Sequence, residues 1–171
     1  MVSEVLPWVL QDVDLEGPVL EIGPGPGVVT AALAQFGIDD LTTLEIDPGA
    51  ARRLEQRIGS RVRVAVGDAA AMPFLAASFA TVVSCTMLHH VPTSEAQDRV
   101  LAESRRVLVP GGTLAGSDSL TSIGFRLFHL FDTHNPVDPD GLPARLVAAG
   151  FDDVGVEVAQ ERFRFRAVAP S

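Results

Sequence analysis

Nine residues constrain this chain more than any others: Val19-Leu-Glu-Ile-Gly-Pro-Gly-Pro-Gly27, a short apolar run that ends in three alternating glycines. Val19 to Ile22 lies between Gly17-Pro18 and Gly23-Pro24 and reads as a buried parallel strand. An amphipathic segment, Val28 to Phe36, follows at once and stops at Gly37, so a helix is expected there. Glycines at 23, 25 and 27 let a ligand approach the backbone, as glycine-rich strand-to-helix turns do in open α/β sheets.

The spacing narrows the ligand. A dinucleotide-binding turn needs G-x-G-x-x-G, but Val28 stands three residues after Gly25, and the pattern is G-x-G-x-G. Pro24 and Pro26 lack the N–H groups that a pyrophosphate cradle uses. Glu21 precedes Gly23 by two residues and so shares its strand face; its carboxylate is expected to aim at the loop mouth. A diphosphate would be repelled there and a cationic ligand attracted. A nicotinamide-dependent oxidoreductase is accordingly disfavoured.

With 171 residues the chain is expected to form one domain with a two- or three-layer core. Its 22 acidic against 13 basic residues, a formal net charge of -9, disfavour non-specific binding to a phosphate backbone, so nucleic acid is an unexpected partner. One cysteine cannot form an internal disulfide, and Met1-Val-Ser-Glu lacks a basic start and an apolar signal core, so a cytoplasmic location is expected. No apolar run reaches membrane-spanning length.

In chain order, Ser3 to Val13 reads as a leading helix with Pro7 in its first turn, and Leu41 to Ile46 as a second strand. Asp47-Pro48 then caps a helix running to Ile58. Arg61 to Val66 alternates charged and apolar residues like an edge strand, and Phe79 to Cys85 is a fourth strand. Ser94-Glu-Ala-Gln97 reads as a capping box before a helix that Pro110-Gly111-Gly112 ends. Thr113 to Ser117 is a fifth strand. Asp138-Pro139 caps a last helix to Ala149, and Val154 to Ala159 with Phe163 to Val168 form a terminal hairpin. Between them Ser119 to His134 is apolar nearly all round, so it must be buried or cover something.

Val19 to Gly27 resembles the first motif of the class I S-adenosylmethionine-dependent methyltransferases, and three further stretches extend the likeness over residues 17 to 170. Leu44-Glu-Ile-Asp-Pro48 resembles the motif whose strand-end acid binds the ribose hydroxyls, which implies Glu45, with Ile46 beside it, in that role; Asp47 is read as the helix cap. Gly67-Asp-Ala69 resembles the adenine motif, with the Asp68 carboxylate and the Ala69 N–H reading the base edge. Met72, Pro73 and Phe74 either wall that ring or pack the core. Arg106-Val-Leu-Val-Pro-Gly-Gly112 resembles the last core motif. The resemblance implies a Rossmann-like, doubly wound, mostly parallel seven-stranded sheet in the order 3-2-1-4-5-7-6, strand 7 antiparallel, with helices on both faces. It also implies that Glu21, Gly23, Pro24, Gly25 and Gly27 help bind S-adenosylmethionine. Cys85 and Thr86 are then expected to touch its methionine part through the backbone.

Leu88-His-His-Val91 resembles a signature of small-molecule members. Where a methyl acceptor must lose a proton, His89 or His90 could take it near neutral pH; His90 is the tentative choice, against the plainer role of ordering the loop. The two histidines, adjacent on an extended chain, are expected to point apart and so to offer no metal site. Cys85 is read as a small buried hydrophobe rather than a nucleophile, and Trp8 as a core or edge residue rather than part of the site. The expected activity is methyl transfer to a small-molecule acceptor by one domain, residues 1–171, with 1–16 as leading helix and 119–137 near the acceptor. The alternative is a catalytically silent, cofactor-binding partner or regulatory subunit. A homodimer is a further expectation, in which a second copy supplies a lid through 119–134.

Overall fold

The computed structural model describes residues 2–120 and 135–171, and the side chains from Glu4 onward within them. The strands are β1 (Val19–Ile22), β2 (Leu41–Glu45), β3 (Arg63–Val66), β4 (Phe79–Cys85), β5 (Leu108–Ser119), β6 (Asp152–Ala159) and β7 (Arg162–Val168). The α-helices are α1 (Val2–Val9), α2 (Val28–Gln35), α3 (Pro48–Ile58), α4 (Ser94–Val107) and α5 (Leu142–Ala148).

One seven-stranded sheet runs β3-β2-β1-β4-β5-β7-β6. Strands β1 to β5 pair in parallel, and β7 is antiparallel to both of its neighbours. This is the expected Rossmann-like order. Every residue of β1 is buried, as a central strand covered on both faces requires. The pleat sorts neighbours onto opposite faces. Leu20, Val82 and Leu114 join a core with α4 and α5, while Val19, Val83 and Ala115 join a second core with α1 and α2. Three layers result, helix on sheet on helix.

Several boundaries differ from expectation. Helix α1 ends at Val9, places Pro7 in its interior, and gives way to a turn in which Asp12 adopts φ 61. A short 3₁₀ turn, Gly59–Arg61, delays β3 to Arg63, on the predicted sheet edge. Thr93, not Ser94, caps α4: its hydroxyl accepts from Ala96 N–H at 3.1 Å. Gln97 instead donates to the Leu88 and Asn135 carbonyls, so no capping box forms. Pro110-Gly111-Gly112 is a bulge inside β5 rather than a terminator, since Phe79 pairs with Leu108 and Thr81 with Thr113. The last helix starts at Leu142, because the Asp138 carboxylate is spent on a turn with the Asp140 N–H. The apolar stretch expected near the acceptor falls, over 121–134, outside the described residues.

Candidate functional site

The C-terminal ends of β1, β2, β3 and β4 surround a cavity of about 710 Å³. It is lined by Gly23, Pro24 and Gly25 from the glycine turn, Glu45 and Ile46 at the end of β2, Asp68 and Ala69 after β3, and Cys85, Thr86 and His90 at and beyond the end of β4. Ten of the twelve residues singled out in the sequence thus meet at one place, where open α/β sheets hold their ligands.

Gly23 adopts φ 68, and a Cβ there would come within 2.1 Å of Met87 Cγ. A Cβ on Gly25 meets nothing within 4 Å. Gly27 is absent from the lining: it is the left-handed N-cap of α2, and a Cβ would sit 2.3 Å from Leu54 Cδ1. Its lack of a side chain serves the packing of the turn on α3. The Gly23 N–H donates to Leu44 O and the Gly27 N–H to Pro24 O. With prolines at 24 and 26, Gly25 alone in the turn keeps a donor with no partner among the described residues. One N–H cannot cradle a diphosphate.

Glu45 ends β2 at 8 % exposure; its Oε1 accepts from the Asp47 N–H at 3.0 Å, and Oε2 has no donor among the described residues. Asp47 caps α3 through the Ala50 N–H, as expected. Asp68 is exposed, with Oδ1 held by the Ala70 N–H at 2.8 Å. Each carboxylate is thereby oriented and keeps one oxygen with no donor among the described residues.

Thr86 adopts φ 56, a costly conformation for a β-branched residue, and its N–H donates to Ser117 O at 2.7 Å. Burial, partly offset by a hydrogen bond with Ser117, pushes the Cys85 thiol up to about 12, so it is no nucleophile at neutral pH. Leu88–His90 forms a 3₁₀ turn rather than an extended segment. That turn brings the two imidazoles to 4.0 Å between ring centres, whereas an extended chain would have parted them. His89 is buried, with Nδ1 2.6 Å from Asp118 Oδ1 and its N–H on Asp118 Oδ2; His90 is exposed on the cavity wall. Among the described residues no cluster of three or more His, Cys, Asp or Glu is placed to hold a metal ion.

Glu21 does not reach the loop mouth. It shares its sheet face with Val19, the face that α2 covers, and at 2 % exposure its Oε2 accepts from Thr30 Oγ1 at 2.6 Å. Burial raises its carboxyl from 4.5 to about 7, the hydroxyl opposing only in part. Trp8 lies away from the cavity, donating to Glu157 and stacking under Arg164. Met72 is core and Phe74 packs edge-on to Phe79, so neither walls the cavity. Sequence reading missed Met87 and Arg99 in the wall. Arg99 follows Ala96 by three on α4 and precedes Val100, a spacing that puts it beside the buried stripe.

Among solved structures the chain is similar to a Haloferax volcanii methyltransferase in complex with the Trm112 methyltransferase activator, at 16% identity over 99% of this chain and 90% of that one, TM-score 0.81. A Methanosarcina mazei SAM-dependent methyltransferase matches at 22% identity, 97% of each chain and TM-score 0.71. A Haemonchus contortus phosphoethanolamine N-methyltransferase 2, in complex with S-adenosyl-L-methionine, matches at 17% identity and TM-score 0.80; the 99% of this chain that aligns spans 52% of that protein. These likenesses share the fold described above. A family model described as a methyltransferase domain matches residues 20–116, more than half of the chain and the whole stretch from β1 into β5. The chain therefore belongs to the methyltransferase-domain family.

Proposed function

We propose that the chain is a methyltransferase whose donor is S-adenosylmethionine and whose acceptor is a small molecule, and that residues 1–171 work as one domain in the cytoplasm. The observation that carries this reading is that Glu45 and the Asp68-Ala69 pair line one cavity with a turn in which, among the described residues, only the Gly25 N–H lacks a partner. A carboxylate with an open oxygen suits vicinal ribose hydroxyls, and an acceptor beside an N–H donor suits an adenine edge. Bound there, the donor supplies an electrophilic methyl group on a sulfonium. The chain's own part is to orient and to shield. Gly23 and Gly25 give the backbone close approach, and Thr86 fixes the turn after β4 through Ser117. Holding reacting atoms in line is most of the catalysis such a transfer needs. His90, on the cavity wall with His89 packed against it, would take a proton from an oxygen or nitrogen acceptor.

A thermal-shift comparison tests the reading. S-adenosylhomocysteine should raise the melting temperature and NAD should not; the reverse result overturns the proposal. His90→Ala should lower turnover by about 10²-fold or more with donor affinity unchanged. Equal loss of both makes His90 structural.

A second reading, a cofactor-binding chain that needs a companion, is favoured by the similar Haloferax volcanii methyltransferase, which is bound to an activator. Its signature is donor binding with no turnover on an acceptor panel until another chain is added. Turnover by the isolated chain removes it.

A further inference from the structure

Beside the donor cavity, sharing Val29, Cys85 and Thr86 with it, lies a smaller chamber of about 140 Å³. Val5 and Leu6 of α1 wall one side, and Ser117, Asp118 and Ser119 at the end of β5, with Arg162 at the start of β7, wall the other. Two charged side chains line it, and they differ in how far they are engaged. Asp118 is fully committed: Oδ1 accepts from His89 Nδ1 at 2.6 Å and from the Ser119 N–H at 2.8 Å, and Oδ2 from the His89 N–H at 3.1 Å. A carboxylate so used has little left for a ligand.

Arg162 is the opposite case. Strand β7 carries arginines at 162, 164 and 166, alternate positions on one face of the sheet. Arg164 reaches Glu157 at 2.6 Å, its register partner on β6, and Arg166 reaches Asp153 at 2.7 Å. Arg162 stands opposite Ala159, and its half-buried guanidinium has no hydrogen bond or ion pair among the described residues. In a chain of net charge -9, the arginine of β7 that lines this chamber has no acid partner among the described residues. A guanidinium offers a planar fork of N–H donors that fits a carboxylate bidentately.

We propose that this chamber is a carboxylate site read by Arg162, with Val5, Leu6 and Val29 as its apolar walls. The inference rests on the donor reading above and adds to it the charge of what lies beyond the methyl group. The carboxylate has two sources, the amino-acid arm of the donor itself or a small carboxylic-acid acceptor.

Calorimetry on the whole chain separates them, in wild type, Arg162→Gln and Arg162→Lys. The probes are S-adenosylhomocysteine, 5′-methylthioadenosine, which lacks the amino-acid arm, and benzoate or benzamide added to the S-adenosylhomocysteine complex. If the donor's arm occupies the chamber, Arg162→Gln weakens S-adenosylhomocysteine by about tenfold or more and leaves 5′-methylthioadenosine unchanged. If an acceptor occupies it, both nucleosides are unchanged, and the preference of the complex for benzoate over benzamide, about tenfold in wild type, is lost. Arg162→Lys, which keeps the charge and loses the fork, recovers part of either loss. Either pattern supports the site. Unchanged binding of all probes in Arg162→Gln, or equal weakening of S-adenosylhomocysteine and 5′-methylthioadenosine in both variants, overturns it. Wild-type protein that binds no S-adenosylhomocysteine overturns the donor reading itself.

Discussion

Glu21 is a carboxyl that the fold holds in the wrong solvent for its charge. Its raised folded value, about 7 against 4.5, means that the stability it contributes is fully present below pH 4.5 and is lost as pH rises through 7. Glu103 and Glu157, held below the usual carboxylate range by Arg106 and Arg164, act in the opposite sense, at lower pH. Glu21→Gln should therefore match wild type near pH 4.5 and exceed it at pH 8 by up to about 3 kcal/mol in urea denaturation. A variant weaker than wild type at pH 8 contradicts the assigned burial cost. Glu45 and Asp68 line the cavity and are proposed to serve the ligand instead: replacing either with alanine should weaken S-adenosylhomocysteine by roughly 1 to 3 kcal/mol and leave urea stability nearly unchanged. Calorimetry checks the first part, and full affinity in both variants removes their roles. The position of both acids on the cavity wall was legible in the sequence because each stands at the end of a strand or within two residues of it, where side-chain placement is set by topology. The destination of Glu21 was not legible, since the period of 2 gives its face but not that Thr30 on α2 lies under that face.

At the scale of elements, the glycine turn divides its labour. Gly23 and Gly25 face the cavity, whereas Gly27 seats α2 against α3. Gly27→Ala combines φ 74 with a contact of 2.3 Å to Leu54 Cδ1, so it should cost roughly 2 to 4 kcal/mol of stability, read as a lower denaturation midpoint. A wild-type midpoint with weakened donor binding would return Gly27 to the site. Sequence alone showed three equivalent glycines, because which one meets another helix depends on long-range packing. The same limit explains the α4 cap. Thr93 and Ser94 are both capping residues by type, and the choice between them follows from Gln97, which reaches Leu88 and Asn135 across the fold. In β5 the Pro-Gly-Gly run kept its place in the sheet because Ala169 pairs with Gly111 and Gly112 across it. His89 and His90 came together because one 3₁₀ turn replaced an extended loop.

For the whole molecule, strand order was readable since four motifs occur in sequence along 17–170, and that order in turn places their ends around one cavity. Nothing local encodes the small chamber, which needs α1, β5 and β7 to meet from distant parts of the chain. The overall charge carries its own prediction. At -9, the protein should pass through a heparin column at physiological salt, and retention there would reopen nucleic acid as a partner. A homodimer built through 119–134 remains a proposal that gel filtration checks, a monomer at micromolar concentration counting against it. The most direct test of the account is a crystal structure grown with S-adenosylhomocysteine. It should show the ribose hydroxyls on Glu45, the adenine edge on Asp68 and the Ala69 N–H, and the sulfur beside Thr86. A nucleoside bound elsewhere, or a cavity left empty at saturating ligand, would contradict it.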